Sequence, residues 1–293
     1  MQCFLYYGQQ RIDLSEFQDK NFILVDNAHL RFAKFIVYLA ENFVNLDFSI
    51  HPKAVIDESS HLDKNVNVGA NTVIGKNCKI ANDVYIYPNV IIYDNVTIDS
   101  GTVIHSGVVV CNDTIIGKNC NILPGAVLGS EGFGFLDNSD GSYTRIPQIG
   151  NVVLGNNVEI GANTTVDRAL VGSTIIADGV KLDNLIQIAH NVRVDENTAM
   201  AAQSGISGST KIGKRNKIAG QVGIAGHLSI ADDVVLLAQS GVAKSIEKPG
   251  AYFGTPTKER MLAFKIEAVL VKLPELYRDM QHLMKKIDEI DIK

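Results

Sequence analysis

From Ile50 onward every sixth residue is aliphatic, and this rhythm restricts the fold more than any other feature of the chain. The rungs run Ile50, Ile56, Leu62, Val68, Ile74, Ile80, Ile86 and so on without a miss to Leu128. They resume at Leu154, Ile160 and Val166, slip by four to Leu170, and continue through Ile176, Leu182 and Ile188 to Val242. A period of six matches neither the 3.6 of a helix nor the 2 of an ordinary strand. It predicts a hexapeptide-repeat parallel β-helix, left-handed, whose three six-residue sides close a triangular coil with each rung pointing inward; about ten coils are expected. Gly69, Gly75, Gly117, Asp183, Asp195 and Gly213 directly follow rungs, as tight corners require.

Three regions depart from the rhythm. Residues 1–48 read as a small α/β lobe: a short strand from Phe22, then a helix over about 28–44 with Asn27 as N-cap. So short a segment does not build a core of its own, and it is expected to cover the first coil. Within the β-helix of 49–250, residues 129–150 interrupt the ladder with glycines, Asp137, Asn138, Asp140 and Pro147. An excursion that breaks a regular solenoid is expected to be functional, and Phe133, Phe135 and Tyr143 ride on it. Residues 251–293 read as a helical tail, split at Pro274, that packs on neighbouring subunits.

The formal net charge of −5 gives no support to nucleic-acid binding. No stretch is apolar for long enough to span a membrane, and the N-terminus lacks a basic start followed by an apolar run. Cys3, Cys78, Cys111 and Cys120 show no paired spacing, so free thiols in a reducing cytoplasm are expected. The seven histidines show no ligand spacing, and no metal is expected. A nucleophile elbow, a P-loop and a dinucleotide fingerprint are all missing from the sequence.

Residues eighteen apart stack in one column of such a prism. His190 lies two residues after the rung Ile188, and its column holds Gly172, Gly208 and Gly226. An imidazole beside a strip free of side chains, where backbone N–H groups are approachable, is a candidate catalytic group. His227 follows Gly226, and Asn184, Gln187 and Asn191 lie close in sequence to His190. Asp183 sits a full side of the triangle from His190, so it is expected to pair with a histidine of a neighbouring protomer, not its own. Lys211, Lys214 and Arg215, with Lys217, form a basic cluster that reads either as a solvated face or as a dock for an acidic partner or a phosphopantetheine carrier.

The ordered set GSEGFGF…RIPQIG, VEIGANTTVDR, KLDNLIQIAHNV, GISGSTKIG and GIAGHLSI resembles the UDP-3-O-acylglucosamine N-acyltransferases of lipid A biosynthesis. That resemblance implies a homotrimer with active sites between subunits. It implies transfer of a 3-hydroxyacyl chain from acyl carrier protein, where 4′-phosphopantetheine carries it, to the 2-amine of a UDP-linked 3-O-acylglucosamine. No tightly bound cofactor is implied. His190 takes the position of the general base and the Gly208 N–H that of the oxyanion donor. His227 and Gly226 correspond to residues that place the carrier arm or substrate, Asn184 and Gln187 to polar contacts, and Phe133 and Phe135 to an acyl channel. At the front only NFILVDNAHLRFAKFI resembles the last strand and helix of the family's uridine-binding domain, so the lobe reads as a shortened one, with Phe4, Tyr6 and Tyr7 as stand-ins for its aromatic contacts. Two rival readings are an acetyl-CoA-dependent acetyltransferase on a nucleotide-linked amino sugar and a non-catalytic β-helix scaffold.

Overall fold

In the computed structural model the described residues are Cys3–Phe4, Asn21–Phe22, 25–43 and 49–291. The chain divides into two compact units, 1–47 and 48–293. In the first, Cys3–Phe4 pairs in parallel with Asn21–Phe22, and helix α1 follows over Ala28–Phe43. Asn27 caps it as expected, its Oδ1 accepting from the Leu30 N–H at 2.9 Å. Tyr6, Tyr7 and the side chain of Phe4 lie outside the described residues.

The second unit is a parallel β-helix. Its two-residue strands stack into three sheets: a first face from His61–Leu62 to Ser229–Ile230, a second from Asn67–Val68 to Lys258–Glu259, and a third from Val55–Ile56 to Gly241–Val242. Rungs pair with rungs one coil away, as Ile74 with Ile92 and Ile188 with Ile206. Ile74, Ile86, Ile104, Ile122 and Ile188 are all fully buried, so each exposes nothing of the ~1.5–3 kcal/mol that such a side chain gains on leaving water. The corners hold a second buried column. Thr102 donates its hydroxyl to the Gly117 carbonyl at 2.8 Å and accepts the Cys120 N–H at 3.0 Å, which satisfies the polar groups of a dry interior. Cys78 and Cys120 take the same kind of place, and burial pushes both thiols up. Directly before each of these buried residues stands a left-handed one, Gly101 before Thr102, Asn77 before Cys78 and Asn119 before Cys120, which explains the recurrent Asn, Asp and Gly.

Two rungs depart from the expected pattern. Ile50, on the first coil, is 53% exposed. Leu170 is 38% exposed and is no rung, because the ladder passes directly from Val166 to Ile176 across a four-residue bulge. The excursion carries an antiparallel hairpin, Phe135–Asp137 with Tyr143–Arg145. At the end, α2 (Arg260–Leu270) and α3 (Leu273–Asp291) are separated by a short turn, with Pro274 in the first turn of α3, where its missing N–H costs nothing. No helix among the described residues is long and apolar enough to cross a membrane.

Candidate active site

The bulge determines what surrounds His190. Thr165 pairs with Gln187 and Val166 with Ile188, an offset of 22, whereas Arg193 pairs with Ile175 at the usual 18. The four extra residues therefore emerge beside His190, at the corner between the third and first faces. Arg168 follows in the register of the third face, and Gly172 closes the bulge with open space around it. Counted from the first face Gly172 keeps its expected offset of 18 from His190, and counted from the third face Arg168 takes that register, so the bulge gives the column two residues at this coil. Gly208 and Gly226, on the far side, hold their expected places, since Gln187 pairs with Gly205 and Gly205 with Gly223.

The imidazole lies directly over Gly208. A Cβ at that position would sit 2.5 Å from Nε2 and 2.6 Å from Cε1 of His190. Only glycine admits the ring there. On its other side, Nδ1 stands 3.2 Å from Asn191 Oδ1. The orientation of the Asn191 amide is fixed by the bulge: Oδ1 accepts the Leu170 N–H at 2.9 Å, and Nδ2 donates to the Val171 carbonyl at 3.0 Å. An amide oxygen only accepts, so in the neutral imidazole Nδ1 carries the proton and Nε2 keeps its lone pair. The free lone pair is thereby the one held over Gly208.

The Gly208 N–H is open for a related reason. At the same point of other turns the N–H is met by an Asp or Asn of the next coil: Lys76 by Asp94, Ala162 by Asn184, and Lys214 by Asp232, at 2.7–2.8 Å. The residue one coil beyond Gly208 is Gly226, which has no side chain to offer. Among the described residues no acceptor meets the Gly208 N–H. The Gly208 carbonyl is occupied, accepting the His227 N–H at 3.0 Å, and His227 itself is in the left-handed region with its side chain exposed.

Beyond the histidine, the third face is almost bare, with Ala189, Gly205, Ser207, Gly223 and Ala225 lining a shallow trough. Gln187 borders it. Its Nε2 donates to Asp167 Oδ2 at 2.7 Å, and its Oε1 accepts from the Thr165 hydroxyl. Asp167 also accepts from the Ser130 hydroxyl at 3.0 Å. Burial raises the Asp167 carboxyl, and this is opposed by those two hydrogen bonds and by the nearby His190. The excursion leans on this residue. Gly132 passes so close that a Cβ there would stand 2.9 Å from Asp167 Oδ2, and the Gly132 N–H donates to the buried Gln148 at 2.8 Å.

The other expected site residues lie elsewhere. Within one chain Asp183 is across the third face from His190. It accepts the N–H of Asn184 at 2.8 Å and of Ala202 at 3.1 Å. Asn184 is turned back onto the Ala162 amide. Phe133 and Phe135 meet edge to face at 5.0 Å, and Phe133 is 85% exposed. Most of the basic cluster is answered within the chain: Lys214 bonds Glu196 at 3.0 Å and Arg215 forks onto Asp233 at 2.7 and 2.8 Å, while Lys211 is exposed. No group of acidic, histidine or cysteine side chains among the described residues is arranged for a metal. Sequence reasoning missed the part played by Asp167, Ser130 and Gln148, and left Asn191 without a role. The visible signal was the four-residue slip, which falls between VDR and the histidine.

Comparison with known proteins points the same way. A family defined by the GMPPB C-terminal domain matches residues 48–132, the regular early coils. UDP-3-O-acylglucosamine N-acyltransferase of Cytophaga hutchinsonii is 56% identical over 161 residues, covering 55% of this chain and 46% of the relative. The enzyme of that name from Pseudomonas fluorescens Pf-5 is 52% identical over 180 residues, covering 61% and 51%. The chain thus spans about half the length of the curated relatives it matches. Among solved structures, an Arabidopsis UDP-N-acetylglucosamine acyltransferase aligns with TM-score 0.66 and 24% identity over 72% of this chain and 73% of its own. LpxA of Acinetobacter baumannii aligns with TM-score 0.55 and 20% identity over 73% of each. These two show the fold; the sequence relatives bear out the resemblance carried by the motifs.

Proposed function

We propose that the chain is an N-acyltransferase that moves a 3-hydroxyacyl group from the 4′-phosphopantetheine thioester of acyl carrier protein to the 2-amine of a UDP-3-O-acylglucosamine, a step of lipid A biosynthesis in the cytoplasm. One observation carries the reading: a lone pair on His190 Nε2 held over Gly208, whose N–H no other group among the described residues takes. That pairing of a base with an amide donor is what acyl transfer needs. The substrate amine attacks the thioester carbon and passes its proton to Nε2. The Gly208 N–H stabilises the negative oxygen of the tetrahedral intermediate. The C–S bond then breaks, and the imidazolium returns the proton to the departing thiolate. Asn191 keeps the ring in the tautomer this sequence requires.

The bare trough gives the substrates room to approach backbone; Gln187 lines it, and Gly226 and His227 follow its lining residue Ala225 in the chain. An uncovered Phe133 beside Phe135 suits an acyl wall that a second protomer completes in a homotrimer, in which Asp183 of a neighbour and Asn184 reach the site. Exposed Lys211, with Lys214 and Arg215 behind it, suits the acidic carrier. The protein is to be incubated with acyl carrier protein thioesters of several lengths, with acetyl-CoA in parallel, and with UDP-3-O-acylglucosamine, and the products read by mass spectrometry. The expected product is an amide from the carrier thioester, lost in His190→Ala with the fold intact. Equal product in His190→Ala, or acetylation from acetyl-CoA alone, refutes the reading.

A further inference from the structure

Asp167 combines features that a purely structural residue has no need of. It is 7% exposed, on the third face, one step past the Val166–Ile188 pair and therefore beside Ala189, next to His190. Both carboxylate oxygens are held by neutral donors, Ser130 and Gln187. Among the described residues no cation is hydrogen-bonded to it. The adjacent Arg168 turns away, giving its Nε to the Gly129 carbonyl at 2.8 Å and an Nη to the Asn112 carbonyl at 3.0 Å. A buried carboxylate without a counter-ion is costly, and replacing it with a neutral isostere is ordinarily neutral or favourable to stability. The geometry also pins it: the strands on either side supply the donors, and the backbone at Gly132 closes over it. The charge with which it interacts is that of His190.

We propose that Asp167 is a positioning residue whose buried carboxylate supplies the missing counter-charge to the imidazolium that forms on His190 during turnover. This deepens the acyl-transfer reading and rests on it for its place in the reaction. Before the proton moves, the pair is an anion beside a neutral ring; after the move it is an ion pair in a partly dry corner, and the developing positive charge is favoured over the resting state. Among the described residues of the same chain, the groups around His190 include no other anion in that part: Arg168 in the preceding coil is basic, Asn191 in its own turn and Gly208 in the next are neutral, and His227 stands one coil further on; a neighbour's Asp183 would approach from outside the chain, whereas Asp167 is held within it. Ser130 and Gln187 hold the carboxylate in place, so the excursion that carries Ser130 is tied to the same corner.

Asp167→Asn keeps the shape and both hydrogen bonds, because the new amide accepts from Gln187 and donates to the Ser130 oxygen. Steady-state kinetics of N-acyl transfer and thermal unfolding are to be measured together on the full chain. The expected result is a kcat lowered by about tenfold to a hundredfold with KM changed less than about twofold, as for an interaction made only in the transition state. The unfolding midpoint at pH 7 should be unchanged or higher. A midpoint and a kcat that fall together, or a kcat within about twofold of the parent, overturn the proposal. A stability cycle of Asp167→Asn, His190→Gln and the double variant gives a second readout that needs no substrate. Non-additivity is expected, larger at pH 5.5 than at pH 8, as for a contact that strengthens when an imidazole side chain gains charge toward acid. Additive effects at both pH values sink the Asp–His pairing while leaving a His190→Ala loss of turnover in force. A parent that transfers no acyl group sinks the reaction instead, and the cycle still decides the pairing.

Discussion

Gly208 offers the sharpest perturbation of the site. Its backbone is not left-handed, so alanine is conformationally admissible there, and the whole effect falls on the imidazole. The added methyl would stand 2.5 Å from Nε2, where ordinary contact begins near 3.4 Å. The ring must therefore retreat by about 0.9 Å, the difference between those two distances. Crowding of this kind costs about 1–3 kcal/mol of stability, well within reach of a solenoid whose coils are otherwise intact. A displacement of ~1 Å at a reacting group costs about a hundredfold in rate, which at 1.36 kcal/mol per factor of ten is about 2.7 kcal/mol of barrier. Gly226 is the comparison, since a methyl there meets the Gly208 carbonyl at 3.2 Å, Ser207 Cβ at 3.7 Å and the Gly208 nitrogen at 4.0 Å, and no atom of the imidazole within that range. Acyl transfer from carrier thioester, followed by mass spectrometry alongside circular dichroism, should show Gly208→Ala down by about a hundredfold with its β signal kept, and Gly226→Ala within about fivefold of the parent. If Gly208→Ala keeps a third or more of the parent rate, or Gly226→Ala proves the worse variant, the ring is not held where the chemistry needs it.

Asn191→Ala removes the acceptor for Nδ1–H and both ties to the bulge, so kcat should fall by at least about tenfold with faster amide exchange at Leu170, measured by hydrogen–deuterium exchange; unchanged exchange there contradicts the clamp. Asp167 also predicts a pH dependence of stability. Because its folded carboxyl is raised above the ordinary value of 3.8, the native state holds that proton more tightly, so its contribution to stability declines as pH rises from the ordinary to the raised value and stays low above it. The midpoint of Asp167→Asn relative to the parent should therefore climb as pH rises above the ordinary carboxylate value in calorimetric scans, and a flat difference refutes the raised carboxyl.

The sequence made the prism legible because one residue in six must face a dry interior, and Ile74 through Ile122 show that requirement without a break. His190 and Gly208 were legible for a geometric reason: a fixed repeat turns sequence separation into spatial columns. The same ruler misled at Leu170, because a count of six carries straight through a bulge that the chain loops out. Asp167 was hidden because a carboxylate after a rung reads as a corner residue; only the backbone of Gly132 passing over it and the two donors beside it show otherwise. Partners across protomers leave no trace in such a ruler, which measures one chain.

Coil-to-coil pairing also governs how such a chain can change its length. Neighbouring strands meet at a separation of 18 residues along regular stretches, at 22 across the bulge and at 38 across the excursion, as between Ile116 and Leu154. Deleting one or two residues would shift every later rung outward, whereas removing one entire eighteen-residue layer rejoins matching edges. Growth and shortening are thus quantised, and an early layer such as 73–90 could be spliced away while the histidine corner, eighty and more positions downstream, kept all of its own neighbours.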